Sequence, residues 1–286
     1  MQFSIVLVIK QNTHDGVDNF QRFLRIGMPT YARFLDLAAV KDFFIITPAN
    51  ELNTIKTLLL KDYPQDKWPW KFISEDKLID TSISSGWGRQ QTSKLAISML
   101  VSTDHYLIVD DDTYLTRPFS YSNLFDTDGK LIWNRTLIDF PFFFLWSNQV
   151  LKFDFEVVQR EKYHMAITPE IFVTAEVREI VRWLVATYGD SKQWQRYLAD
   201  HKYTEYCLYW IWLIKHGRHT SLYSTLPLAQ ATSVYGHETT NDVQTMEENV
   251  KASFADNSKH YFSFVQSSIG HPLEAIEAAI KTHAAA

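Results

Sequence analysis

The stretch Tyr106-Leu107-Ile108-Val109-Asp110-Asp111-Asp112-Thr113 decides the fold. An uninterrupted apolar run stops abruptly at three carboxylates. A run without alternation is what a strand buried on both faces requires. Three adjacent carboxylates cannot follow it into a core, because like charges repel and buried ones need a compensating cation. The spacing therefore predicts a strand over 105–109 that ends at a ligand-accessible rim. Side chains alternate along an extended chain, so Asp110 and Asp112 face one way and Asp111 the other. Asp110 and Asp112 can then share one divalent ion, and Mg²⁺ or Mn²⁺ suits oxygen ligands better than zinc does.

Upstream, residues 5–9, 43–46 and 70–73 are similar apolar runs. Helical spacing separates them: Phe20, Phe23, Leu24, Gly27 and Met28 with a break at Pro29, then Leu52, Ile55, Leu58 and Leu59. Ser84 or Ser85 is placed to cap a further helix running to about Val101. Buried strands alternating with helices predict an α/β fold with a parallel sheet, which binds ligands at the carboxyl ends of its strands. Downstream, 130–133 and 142–146 read as strands, and 148–160 and 170–187 as amphipathic helices. Residues 203–216 are apolar nearly all round and predict a buried helix. A last strand is expected at 260–265 and a terminal helix at 272–282.

The 286 residues carry a net charge of −5 and no compensating block of Lys and Arg, which argues against a nucleic-acid partner. Hydrophobic residues at 46% and charged residues at 21% exclude a disordered chain. Nine glycines and nine prolines are about half the usual share, against linkers and many-turned sandwiches. The single cysteine, Cys207, allows neither an internal disulfide nor a zinc cluster and fits a reducing compartment. The run at 5–9 is too short for a signal peptide or a membrane span, so a cytoplasmic protein with no transmembrane segment is expected. Aromatic residues at 15% supply a bulky core or a groove for flat or sugar-like ligands. No phosphate-binding loop of the G-x-x-x-x-G-K-[ST] type and no G-x-G-x-x-G is present. A haloacid-dehalogenase pattern fails at Tyr114.

With Asp110-Asp111-Asp112 at this depth, the chain resembles glycosyltransferases of the GT-A fold. Gly86-Trp87-Gly88-Arg89-Gln90-Gln91-Thr92-Ser93-Lys94-Leu95 is similar to the Trp–Gln-Gln–Lys-Leu helix start of small transferases that build microbial or viral surface glycans. The likeness covers about 1–120 well and the remainder loosely. It implies a GT-A-like, mainly parallel sheet flanked by helices in a single domain over 1–286. About 1–120 would bind the nucleotide sugar, and about 121–286 would form an elaborated acceptor region. The implied reaction is metal-dependent transfer from a nucleotide-diphosphate sugar, of the UDP type, to a hydroxyl of a glycan or glycoconjugate.

The resemblance also implies roles. Asp110 and Asp112 would hold Mn²⁺ or Mg²⁺ against the diphosphate, with Asp111 on the ribose or sugar. Arg89 and Lys94 would add positive charge near the donor, and Lys10 would contact the nucleotide. A late histidine often completes the metal shell; His260 is the first choice and His271 the second. An inverting reaction needs a base, for which Glu205 is placed at a helix start and Asp139 is the alternative. Trp133 or Trp146 could stack on an acceptor sugar. A sugar-nucleotide-forming nucleotidyltransferase would need a Gly-rich, basic loop after the first strand, where this chain has Lys10-Gln11-Asn12-Thr13-His14-Asp15-Gly16. A non-catalytic carbohydrate-binding protein would need the aromatics but not the three carboxylates.

Overall fold

A computed structural model describes residues 1–11, 18–134, 136–137, 141–153, 163–165, 168–225, 232–235, 242–255, 260–266 and 270–284. The four upstream runs become the parallel strands β1 (Phe3–Val8), β2 (Val40–Thr47), β3 (Trp70–Ser74) and β4 (His105–Val109). After the carboxylates come β5 (Thr113–Leu115), the short pair β6 (Thr136–Leu137) and β7 (Tyr163–His164), then β8 (Glu170–Val173), β9 (Thr232–Tyr235) and β10 (Phe262–Val265). The main sheet runs β3-β2-β1-β4-β8, and β8 alone is antiparallel in it. A second sheet, β5-β10-β9, pairs β10 antiparallel to β5. Leu7 of β1 is in register with Ile45 and with Val109, so the carboxyl ends of β1, β2 and β4 share one rim.

Helices cross between these strands: α1 (Asn19–Arg22), α2 (Met28–Phe34), α3 (Leu52–Asp62) and α4 (Gly86–Ala96). Later come α5 (Pro141–Leu151), α6 (Thr174–Tyr188), α7 (Ser191–Ala199), α8 (Glu205–Lys215), α9 (His219–Leu222), α10 (Val243–Phe254) and α11 (Leu273–Ala284). Among the described residues no helix is long and apolar enough to cross a membrane.

The break expected at Pro29 takes the form of a π turn, Phe23–Gly27, between α1 and α2. Proline has no N–H to give to the preceding turn, and the wider turn closes instead through the Met28 N–H to the Phe23 carbonyl. It also draws the backbone against the segment that follows the carboxylates. A Cβ at Gly27 would lie 3.1 Å from the Thr113 carbonyl oxygen. The Thr30 hydroxyl donates to the Gly27 carbonyl at 2.8 Å and accepts from the Leu115 N–H at 2.9 Å.

Ser85 is the cap of α4, its hydroxyl accepting from the Gly88 N–H at 3.0 Å; the helix passes into a 3-10 turn at Ile97–Met99. Residues 142–146 differ from expectation, because they belong to α5. Pro141 opens that helix, where its missing N–H is harmless. Phe144, Ser147, Asn148, Val150 and Leu151 are buried at helical spacing. A short apolar block bears no period that separates strand from buried helix. Residues 130–133 form only isolated bridges, Leu131 to Phe125 and to Tyr223. The stretch 170–187 begins as β8 before turning helical, and 154–160 lie outside the described residues. The predicted buried helix is α8, whose residues from Glu205 to Ile214 are all buried.

Candidate functional site

Asp110 leaves β4 at the shared rim and meets α4. Its Oδ1 lies 3.0 Å from Lys94 Nζ and accepts from Gln90 Nε2 at 3.3 Å. Gln90 and Lys94, four residues apart, present one helix face to it. The Thr168 hydroxyl donates to Asp110 Oδ2 at 2.5 Å and lies 2.9 Å from the Tyr206 hydroxyl. Thr168 reaches the rim because β8 runs against β4, so its leading end lies at the trailing end of β4. Thr168→Val removes a donor to a charged acceptor and should lower the unfolding free energy by about 1.5–3 kcal/mol in a urea titration. A change of a few tenths would show that Asp110 is held without it.

The Lys94 side chain is 2% exposed, and its Nζ also lies 2.9 Å from Glu205 Oε1, on a side chain that is 0% exposed. Burial pulls the lysine pKa down, but Asp110 and Glu205 outweigh it and raise it well above the ordinary value. Lys94 is therefore a fixed cation between two carboxylates, not the donor contact expected of it. Burial pushes the Glu205 pKa up, and Lys94 opposes the shift. Glu205 was expected to face an acceptor; it is instead closed off and ion-paired. Asp139, the alternative base, lies outside the described residues.

Asp111 turns the other way. It is buried, with Oδ2 4.0 Å from Nε of Arg22, which is 1% exposed and also donates through Nη1 to the Val265 carbonyl at 3.3 Å. Burial first, then Asp112 and Asp110, raise the Asp111 pKa well above the carboxylate range, while Arg22 acts against them. This interior position differs from the ribose or sugar contact expected of Asp111. The buried Tyr31 hydroxyl has no hydrogen-bond partner among the described residues; burial, then Asp110 and Asp112, raise its pKa.

Asp112 is half-buried, and its carbonyl accepts from the Val265 N–H at 3.3 Å. That bond brings the end of β10, not its beginning, to the carboxylates. His260 precedes the strand and sits beside Thr116, whose hydroxyl donates to the His260 carbonyl at 2.8 Å. It lies five residues before Val265, four of those positions in the strand Phe262–Val265, whose length alone is about 10 Å at ~3.3 Å per step. The antiparallel register thus carries His260 away from Asp110 and Asp112. His271 stands near Arg22 and Asp242: it is buried, its Nδ1 has no hydrogen-bond partner among the described residues, and burial and then Arg22 lower its pKa while Asp242 raises it. Among the described residues no three His, Cys, Asp or Glu side chains are already gathered closely enough to hold a metal.

Beside the carboxylates a cleft of about 380 Å³ opens at the ends of β1, β2 and β3. Lys10, Pro48, Glu75, Trp87, Arg89 and Gln90 are among its walls. Arg89 Nε lies 3.3 Å from Glu75 Oε1, and burial raises the Glu75 pKa against the pull of Arg89. Lys10 and Arg89 are thus brought to one cleft. Gln90 both lines it and donates to Asp110, so the cleft and the carboxylates form one site. Trp133 is core: buried, stacked on Trp210 at 4.1 Å between centroids, with no face for a sugar. Trp146 is half-buried against the His201 ring.

Sequence reasoning missed Arg22, Tyr31, Glu75 and Thr168. Only Arg22 carried a signal, as a charge set among Phe20, Phe23 and Leu24 on an apolar helix face.

A mainly parallel central sheet flanked by helices is the architecture of the GT-A glycosyltransferases, and this chain has that fold. Mouse xyloside xylosyltransferase 1 superposes with a TM-score of 0.53 at 10% identity, covering 95% of this chain and 100% of that one. The bifunctional glycosyltransferase WbbM gives 0.56 at 11% identity, covering 98% of this chain and 49% of that one. The galactosyltransferase LgtC, in complex with donor and acceptor sugar analogs, gives 0.50 at 11% identity, covering 98% and 96%. No curated protein matches the chain in sequence. The chain belongs, over residues 1–286, to DUF6492, a family of unknown function.

Proposed function

We propose that the protein is a metal-dependent glycosyltransferase that moves a sugar from a UDP-type nucleotide sugar to a hydroxyl of a glycan or glycoconjugate. The observation that carries this reading is Gln90, which joins the cleft holding Lys10 and Arg89 to Asp110. Lys10 and Arg89 bind the anionic nucleotide, and Arg89 can exchange Glu75 for phosphate as a planar donor fork. The fold shared with glycosyltransferases supports the same reading.

The residues present fit a hard divalent ion. Three carboxylates crowd the end of β4, and burial first, then Asp112 and Asp110, raise the Asp111 pKa while Arg22 acts against them. The buried Nδ1 of His271, which stands near the Arg22 that faces Asp111, lacks a partner among the described residues. Asp110, Asp112 and His271 would hold Mn²⁺ or Mg²⁺, His271 taking the place foreseen for His260. When bound, the ion supplies Lewis-acid stabilisation of the departing diphosphate. Lys94 positions Asp110, and Glu205 holds Lys94. An inverting course would need a base, and of the two carboxylates read from the sequence, Glu205 is occupied with Lys94 and Asp139 is the alternative. The two-part single domain and the cytoplasmic setting, which the buried thiol of Cys207 fits, belong to this proposal.

The test is thermal unfolding with UDP, GDP or CMP, each with and without Mn²⁺. A nucleotide at 100 times its Kd adds about 2.7 kcal/mol of stability. UDP should raise Tm most, and only with Mn²⁺. No nucleotide shift in any condition, with a shift by glycans alone, would favour a carbohydrate-binding protein without catalysis.

A further inference from the structure

Helix α5 buries one side and leaves Phe142 in its first turn exposed. Phe144, Ser147, Val150 and Leu151 are buried, and the helix packs on α8, so α5 is anchored. Phe142 is nevertheless 68% exposed and Phe143 is half-buried. The Phe143 ring lies 5.6 Å from the ring of Trp87, which is itself 43% exposed. Trp87 and Phe143 form an aromatic pair, or shelf, contributed by two separate helices, and the exposed Phe142 adjoins Phe143 at the start of α5. A phenyl ring left in water on an anchored helix gains nothing for the fold, so the exposure asks for a ligand.

The shelf is continuous with the site. Trp87 is a wall of the cleft that holds Lys10 and Arg89. Trp87 and Gln90 are three residues apart on α4 and therefore share a face, about 5–6 Å between Cβ atoms. Gln90 donates to Asp110. A molecule lying on the shelf is thus one helical turn from the residue that binds the carboxylate end of the site.

We propose that Trp87, Phe142 and Phe143 form the platform on which a sugar ring of the acceptor is laid. This deepens the glycosyltransferase reading and rests on it. A pyranose has an apolar C–H face and a rim of hydroxyls, which suits rings bordered by amide and guanidinium donors. Gln90 and Arg89 border Trp87 in that way. A lipid chain would want apolar surface continuing past Trp87, where Lys10, Glu75 and Arg89 stand.

The experiment is saturation-transfer NMR with UDP and Mn²⁺ present, using the methyl glycosides of glucose, galactose, mannose and N-acetylglucosamine as probes. At least one glycoside should receive saturation at its ring C–H protons. The Phe142→Ser/Phe143→Ser protein should bind it at least fivefold more weakly, with UDP affinity within twofold of the parent. Phe142→Ser alone, at the more exposed position, provides a check should the pair unfold, and it too should weaken the glycoside. No saturation of any glycoside, or equal binding by both variants, overturns the platform. So does variant-sensitive co-sedimentation with phosphatidylglycerol vesicles in the absence of glycoside binding, which would assign the shelf to a lipid surface. UDP affinity is read on the same samples. Its absence would overturn the donor reading, and glycoside binding would still report on the shelf by itself.

Discussion

Replacing Lys94 by Met should lower the unfolding free energy by about 3–5 kcal/mol, the usual consequence of removing one partner from a buried ion pair. The lysine is 2% exposed and lies 3.0 Å from Asp110 and 2.9 Å from Glu205. Methionine fills much of the volume but leaves two carboxylates facing each other without a cation. Glu205 suffers most, because it is fully buried while Asp110 retains some access to water. The double variant Lys94→Met/Glu205→Leu should recover most of the loss, since an apolar pair of similar shape has no charge to desolvate. Urea titrations of the parent, both single variants and the double variant give the coupling directly. A single-variant loss below about 1 kcal/mol, or a double variant no better than Lys94→Met, would mean that the pair is not what secures α4 to α8.

Asp112→Ala should behave in the opposite way: unfolding stability kept or raised, ligand binding lost. Asp112 and Asp110 both push the Asp111 pKa up, so removing one relieves repulsion within the cluster. If Asp112 serves the divalent ion, UDP affinity in Mn²⁺ should fall at least tenfold, about 1.4 kcal/mol. Turnover, once a donor is in hand, should fall by about 10²–10³, in keeping with the several kcal/mol a metal supplies to a developing charge. Calorimetry with and without Mn²⁺ decides the first point. An Asp112→Ala protein whose Mn²⁺-dependent UDP affinity is unchanged would remove Asp112 from the site.

What could be read from the chain, and what could not, follows from the range of the forces involved. The strand before Asp110 was legible because a strand buried on both faces must be apolar throughout, and the carboxylates mark where it ends. The cap at Ser85 is equally local. Helix α5 was misread because Phe142-Phe143-Phe144-Leu145-Trp146 is apolar without a period, and its direction is set by packing on α8. His260 drew attention because it begins the last apolar run, but the register of β10 against β5 is a tertiary fact. Lys94 shows the limit most clearly. In sequence it is a lysine near the end of a polar helix, and its partners on β4 and α8 are visible only once the chain is folded.

The reversed direction of β8 has a consequence for how such a protein can diversify. The polypeptide departs from the rim at Asp112 and is brought back to it at Thr168, whose hydroxyl is bonded to Asp110. The chain between those two anchor points is an excursion that begins and ends at the rim of the main sheet. It contributes none of the five strands of that sheet, and Phe142 and Phe143 lie within it. Under the proposed reading, acceptor-binding rings such as Phe142 and Phe143 can be exchanged within this excursion while the strand that leads to Asp110 is inherited unchanged.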